Sequence, residues 1–414
     1  MPSALDEPLS SRVSAAVVLT AALLALSALL AACGGSGTYV VPTPTAAATI
    51  DPGRATTTLQ ELQSVLRRGD TVAARRFGSD PAAADLLAAV AGNVPRIGLD
   101  HLALTYLTEN GGGTFQGAWG ATVQVSWRVK GFDKGIAQRD LAFSFADGGR
   151  TISRIGGGSD ATPLWLSGPV IVRRSSDVLV IATAPAKEAD ALLTEAETGL
   201  ARDRQVLGGR RSVVIEAPAT VAGMQRALGV QPPTYDDIAA VTAPVDGNRL
   251  PGAPVHVFVN PVVYRRMGHV AAQVVMTHES VHAVTNAPLS TSAPLWLVEG
   301  FADYVALGDV NLPLSRTAAG ISKEVRRRGA PKQLPTDTDF GSGDRNLGPT
   351  YEAAWQVCVT IADHAGQPAL VRLYRDVLGG TPLATALPRD TGLTVASLTA
   401  AWRSRLTAVA AVAR

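Results

Sequence analysis

Apolar and polar positions change their spacing along the chain. Apolar residues recur with helical spacing in 57–68 and 81–91, a pattern typical of amphipathic helices. Between about residues 101 and 155 the spacing approaches two, as in half-buried strands. Helices followed by an antiparallel meander predict a small α+β domain over residues 54–162.

A second region, residues 163–414, combines buried strands with helices. The apolar runs 178–182 and 213–216 predict strands on either side of a helix over 187–206. A strand at 255–259 follows, and helical patterns then continue towards the C-terminus. We therefore expect an α+β fold class, with a mixed sheet and a helical C-terminal part in this second domain.

Residues 278–282 read His-Glu-Ser-Val-His inside an apolar stretch. On a helix, His278 and His282 lie one turn apart on one face, so both imidazoles can bind one ion. Glu279 lies beside them, where a carboxylate can take a proton from a water that the metal activates. Because histidine and glutamate side chains in a buried helix need polar partners, the motif predicts a metal site.

The segment W-L-V-E-G-F-A-D-Y, residues 296–304, offers the third ligand. Ser292 is expected to cap a helix here, with Pro294 in its first turn. Glu299 then completes the three protein ligands of a catalytic zinc site. Asp303 lies one turn later, where its carboxylate can accept the second ring N–H of a ligating histidine and fix its tautomer.

These two segments resemble the gluzincin zinc metallopeptidases, and 296–304 is similar to the W-L-x-E-G-x-A-x-Y block of their aminopeptidase branch. The resemblance covers roughly residues 250–365. It implies a thermolysin-like catalytic unit in which Zn²⁺ is bound by both motif histidines and Glu299. It also implies that Glu279 is the general base acting on a zinc-activated water.

The chain also departs from the aminopeptidase branch. Val298 stands where that branch has an asparagine, and the G-x-M-E-N segment that reads a free N-terminus is absent. The closer resemblance is therefore to the peptidase MA-like group.

The P-T-Y-E segment at 349–352 resembles one whose tyrosine stabilises the oxyanion, which makes Tyr351 a candidate catalytic residue; the alternative is an aromatic side chain packed on the core. The resemblance also places the strand at 255–259 at a sheet edge, where an extended substrate can pair.

The N-terminal segment indicates where in the cell the protein is located. Residues 13–30 are almost entirely Ala, Leu and Val, and A-A-C follows, ending at Cys33. This resembles a bacterial lipoprotein signal, in which residues 1–32 are removed, Cys33 is lipidated and 33–53 form a flexible tether. An uncleaved anchor helix and an ordinary secretory signal are the alternatives. All three place the globular part on the extracytoplasmic side of the cell membrane.

Net charge and cysteine content limit the classes of binding partner and the disulfide bonds that we expect. The formal net charge is +2, which favours neither nucleic acid nor a strongly acidic partner. The chain has two cysteines, so lipidation of Cys33 leaves Cys358 without a disulfide partner, as a buried core thiol.

The pattern over 54–162 is similar to the cone-shaped folds of the nuclear transport factor 2-like group.

Together these observations predict a membrane-tethered, extracytoplasmic zinc metallopeptidase that acts on peptide or protein substrates. Two alternatives stay open from the sequence. One is a non-catalytic lipoprotein that binds metal or peptide, and the other is a zinc amidase that acts on cell-wall peptides.

Overall fold

Three helices precede the first sheet. The computed structural model describes residues 50–115, 117–157, 161–341 and 347–412, so the predicted signal peptide, nearly all of the tether, and Cys33 lie outside the described residues. The helices are α1 (Pro52–Arg68), α2 (Thr71–Arg75) and α3 (Pro81–Ile97). Asp51, Asp70 and Asp80 each accept a hydrogen bond from the backbone N–H three residues on. These aspartates therefore begin the helices as side-chain caps.

An antiparallel meander follows the three helices. Its strands pair in chain order and are β1 (Leu99–Phe115), β2 (Ala118–Val129), β3 (Ala137–Ala146) and β4 (Thr151–Ile155). On β2 every second residue is buried, as a sheet with one face on a core requires. The predicted helices and antiparallel strands of this region are confirmed. Its likeness to the nuclear transport factor 2-like group stays a prediction.

The second sheet is mixed and has five strands. Its strands are β5 (Ile171–Arg174), β6 (Val178–Ala182), β7 (Val213–Ala217), β8 (Ala240–Pro244) and β9 (Val255–Val259), in the spatial order β5-β6-β7-β9-β8. Strands β6, β7 and β9 are parallel, and the two outer strands run antiparallel to their neighbours. Helix α4 (Ala186–Leu207) connects β6 to β7.

One expectation about this sheet was wrong. The strand at 255–259 is β9, and it lies inside the sheet because β8 pairs along its outer side. The strand at this edge of the sheet is therefore β8, and β5 lies at the other edge. The sequence of β8, A-V-T-A-P, is only moderately apolar and contains a proline, so hydrophobic patterning did not identify it. Proline is tolerated at such a position because an edge strand has one side free of ladder hydrogen bonds.

The remaining α-helices of the described chain follow β7 in sequence. They are α5 (Val221–Leu228), α6 (Pro261–Tyr264), α7 (His269–Thr285), α8 (Leu295–Leu307), α9 (Leu314–Thr317), α10 (Ala319–Arg328), α11 (Gly348–Ala365), α12 (Gln367–Leu378), α13 (Leu383–Thr391) and α14 (Val395–Val412). Among the described residues no helix is long and apolar enough to cross a membrane. The expected cap at Ser292 was wrong, since Pro294 takes the N-cap position of α8 without a side-chain bond. Asp337 instead accepts the N–H of Leu295 at 2.8 Å.

The five-stranded sheet has apolar packing on both faces. Val178 and Val180 face a core shared with α7, α8 and the C-terminal helices. Leu179 and Ile181, which alternate with them on β6, face a second core shared with α1, α3 and the first sheet. The hydrophobic packing is therefore continuous across the predicted domain boundary at 162/163. That boundary stays a prediction about the sequence.

Candidate metal centre

Three nitrogen and oxygen atoms converge between α7 and α8. His278 and His282 lie one turn apart on α7, and Glu299 lies on α8 directly opposite. The Nε2 atoms of the two histidines are 3.0 Å apart, and Oε2 of Glu299 is 3.1 Å and 3.3 Å from them. This group could hold a metal ion.

The spacing of these atoms fits a tetrahedral ion. Ligand atoms at the zinc distance of about 2.0–2.1 Å lie about 3.3 Å from one another at tetrahedral corners. The three observed separations lie close to that value. The two imidazole nitrogens and the carboxylate oxygen occupy three corners of such a tetrahedron. The fourth corner faces the cleft described below, as in catalytic zinc sites.

Asp303 orients the first histidine. Its Oδ1 lies 2.8 Å from His278 Nδ1, so the imidazole donates that N–H and turns a lone pair on Nε2 towards the other two ligand atoms. Burial lowers the pKa of His278, but the carboxylates of Asp303 and Glu299 outweigh it and raise that pKa well above its usual value, so a metal ion would bind Nε2 in place of a proton. The ring nitrogen of His282 that faces away, Nδ1, is buried without a hydrogen-bond partner among the described residues.

Glu279 lies beside the three ligand atoms with its carboxylate held by an edge-strand side chain. The hydroxyl of Thr242, on β8, lies 2.6 Å from Glu279 Oε2. Burial raises the pKa of the Glu279 carboxyl, opposed by the two nearby histidines. A carboxylate with a raised pKa is a stronger base than a free glutamate side chain. Thr242 is a site residue that the sequence reasoning missed, because it belongs to the unrecognised strand.

Helix α4 packs against α7, the helix that carries His278 and His282. Ser280, between the two histidines, donates to Oδ2 of the buried Asp203 at 2.7 Å. Burial raises the pKa of Asp203 to about 7, against the lowering effect of this hydrogen bond. Gly199 allows the close approach, because a Cβ there would lie 3.2 Å from both Thr277 Cα and Ser280 Oγ. The motif helix is thus anchored by contacts that its own sequence does not reveal.

Tyr351 reaches the same site from α11. Its ring lies 6.4 Å from the ring of His278 and packs edge-on against Phe340 at 5.4 Å between centroids. Burial, followed by the charges of Glu299 and Asp303, raises the pKa of the Tyr351 phenol, so its hydroxyl keeps its proton and remains a donor. The structure therefore brings together all six residues that the sequence predicted for this site.

A cleft of ≈ 590 Å³ opens in front of these residues. Beyond the metal-site side chains it is lined mainly by apolar groups of α7 and α8, such as Val274, Val275 and Val298, and by residues 238–242 at the start of β8. A cleft of this size, apolar with a few convergent polar groups, is typical of substrate-binding sites.

The remaining histidines lie away from the metal site. His256 is buried on β9, with Nδ1 3.0 Å from Glu216 and Nε2 3.1 Å from Asp133. His269 lies at the start of α7 and His364 in the last turn of α11, and neither lines the cleft. None of these three histidines belongs to the group formed by His278, His282 and Glu299.

Neither a protein-family model nor a curated protein matches this chain. Its function is therefore inferred from the geometry and chemistry of the site.

Proposed function

We propose that this chain is a zinc metallopeptidase of thermolysin-like architecture that hydrolyses peptide bonds. The observation that supports the proposal best is the triangle of His278, His282 and Glu299 with Glu279 beside it, at the floor of an open cleft. Two imidazoles, one carboxylate and one open corner form the ligand set of catalytic zinc in hydrolases, which favours Zn²⁺ over harder ions that prefer oxygen ligands.

The protein's own groups divide the chemistry among them. When bound, zinc polarises the substrate carbonyl and makes water acidic enough to lose a proton near neutral pH. Glu279 accepts that proton as the water oxygen attacks the carbonyl carbon, and then returns it to the leaving amine. Tyr351 donates its hydroxyl to the carbonyl oxygen, where negative charge develops in the transition state.

The outer side of β8, on which no other strand of the described residues pairs, supplies a place for the substrate backbone. The edge strand lines the cleft, and an extended peptide can add to it as a further strand. This replaces β9, which the sequence resemblance had put at the edge. Apolar lining on α7 and α8 then faces the substrate's side chains, so peptides with apolar residues near the scissile bond are the expected substrates.

The proposal includes the cellular address that the N-terminus indicates. Lipidation of Cys33 would tether the enzyme to the extracytoplasmic face of the cell membrane. The substrates would therefore be peptides or proteins close to the membrane surface.

The test is digestion of a peptide library, read by mass spectrometry, with the wild-type chain and with Glu279→Gln. We expect about one zinc per chain in both proteins, and cleavage by the wild type alone. Cleavage confined to cell-wall peptides would identify an amidase of that substrate class. Zinc or peptide binding without any cleavage would identify a binding protein, and metal-free protein or full activity of Glu279→Gln would contradict the mechanism.

A further inference from the structure

Thr242 contacts the proposed general base through a single buried hydroxyl. Its Oγ1 lies 2.6 Å from Glu279 Oε2 and 3.0 Å from the Glu279 carbonyl oxygen. Since a hydroxyl has one proton, it donates to one acceptor at a time, and the ionised carboxylate is the stronger acceptor. Both side chains are only 8% exposed, so water does not easily replace this bond.

The backbone of Thr242 faces the opposite direction, towards the free edge of the sheet. In the antiparallel β8–β9 pair, Asn260 N donates to Ala239 O, and Val245 N donates to Pro254 O. Hydrogen-bonded and non-bonded positions alternate in such a ladder, and β8 pairs with β9 without a register shift. Residues 241 and 243 therefore bond to β9, which leaves the N–H and C=O of Thr242 directed at the cleft side.

We infer that Thr242 is a positioning residue that joins substrate docking to the orientation of the base. Its backbone offers a donor and an acceptor to an extended substrate, and its side chain holds the carboxylate that accepts the proton. The inference rests on the proposed peptidase function. One residue on a rigid strand then contacts both the substrate backbone and the base. It thereby fixes the position of the scissile carbonyl relative to the Glu279 carboxylate.

The hydroxyl also selects one of the two carboxylate oxygens. With Oε2 held by Thr242, Oε1 of Glu279 is the oxygen left to accept the proton. Without the hydroxyl the carboxylate can rotate, and a misplacement on the order of 1 Å costs about 100-fold in rate. This effect belongs to the chemical step and not to substrate binding, because the backbone groups that pair with the peptide are unchanged.

The experiment compares Thr242→Val, which is isosteric and has no hydroxyl, with Thr242→Ser, which keeps the hydroxyl. The probe is a fluorescence-quenched peptide built on a sequence that the wild type cleaves in the library digestion. We expect kcat to fall by about 10- to 100-fold in Thr242→Val, with KM within about twofold of wild type. Thr242→Ser should recover most of kcat, and both variants should bind about one zinc.

Thr285→Val is the matched control. It removes a partly buried hydroxyl from the same helix, where Thr285 Oγ1 lies 3.1 Å from Tyr374 Oη and does not contact Glu279. Its kcat should stay near the wild-type value. Thr242→Ala serves as a second variant if the valine side chain prevents folding, and the same loss of kcat is expected.

Two results would overturn the inference while leaving the peptidase assignment intact. One is a wild-type kcat in a folded, zinc-containing Thr242→Val or Thr242→Ala chain. The other is a loss of kcat that Thr242→Ser does not recover although it folds and binds zinc. Failure of the peptidase assignment is recognised separately, by a wild type that cleaves no peptide.

Discussion

His256 joins the two sheets through a buried ion network, and its titration makes folding stability depend on pH. The imidazole is 1% exposed and bridges Glu216 of β7 and Asp133 of the loop that follows β2. Burial lowers the pKa of His256, but the Asp133 and Glu216 carboxylates outweigh it and raise the pKa from 6.5 to about 9.

The size of the effect follows from this shift. A rise of about 2.5 pKa units at about 1.4 kcal/mol per unit gives roughly 3 kcal/mol. Because the folded pKa lies above the unfolded one, the stabilisation is fully present below pH 6.5 and is lost as the pH rises through about 9. The free energy of unfolding should therefore fall by roughly 3 kcal/mol across that window from this residue alone.

The assay is urea unfolding followed by tryptophan fluorescence, for the wild type and for His256→Gln, at pH values from about 6 to 10. The variant leaves two buried carboxylates without a cation, so its deficit below pH 6.5 should be about 3–5 kcal/mol. The difference between the two proteins should then shrink by roughly 3 kcal/mol towards pH 10. Asp133→Asn should move the window to lower pH, since it removes one carboxylate that raises the pKa. A difference that is constant over the whole pH range would refute the reasoning.

Three further predictions concern the metal site and its supporting helices. Asp303→Asn should weaken zinc binding by about 10- to 100-fold, because the carboxylate that orients His278 loses its charge; competition with a chelating dye measures this, and unchanged affinity would argue against the role. Tyr351→Phe should lower kcat by about 10²- to 10³-fold with zinc retained if its hydroxyl serves the oxyanion, whereas a lower melting temperature with normal kcat would identify a packing residue. Gly300→Ala would bring a Cβ within 2.3 Å of the Ala354 carbonyl oxygen, so α8 and α11 must separate; calorimetry should show a loss of about 1–3 kcal/mol, and equal stability would contradict the predicted clash.

Most helices and strands could be predicted from periodicity. The apolar stretch around 278–282 was expected to be helical and lies in the helix His269–Thr285, and the strand at 178–182 has the expected bounds. Both have long or continuous apolar patterns, in which burial and local preference agree. The start of α8 was less predictable because Asp337, a residue distant in sequence, bonds its first N–H. Such a contact leaves no periodic signal near Ser292 and Pro294.

The residues of the candidate metal site could be predicted for a different reason. Helix geometry alone places His278 and His282 on one face, and that placement needs no tertiary information. The distance from these histidines to Glu299 and Asp303 depends on how α7 packs on α8, yet the W-L-V-E-G-F-A-D-Y pattern indicated it through resemblance. Thr242 had no comparable signal, because a threonine in a short strand is common and its partner lies 37 positions later in the chain.

The sequence by itself determined the periodic elements, the donor types and their spacing on each helix, because these depend on residues within one or two turns of each other. The tertiary structure alone decided which strand forms the sheet edge, which hydroxyl holds Glu279 and which carboxylates enclose His256. Strand order and side-chain partnership are set by packing between segments far apart in the chain, where burial of apolar surface on both faces of the central sheet selects one arrangement.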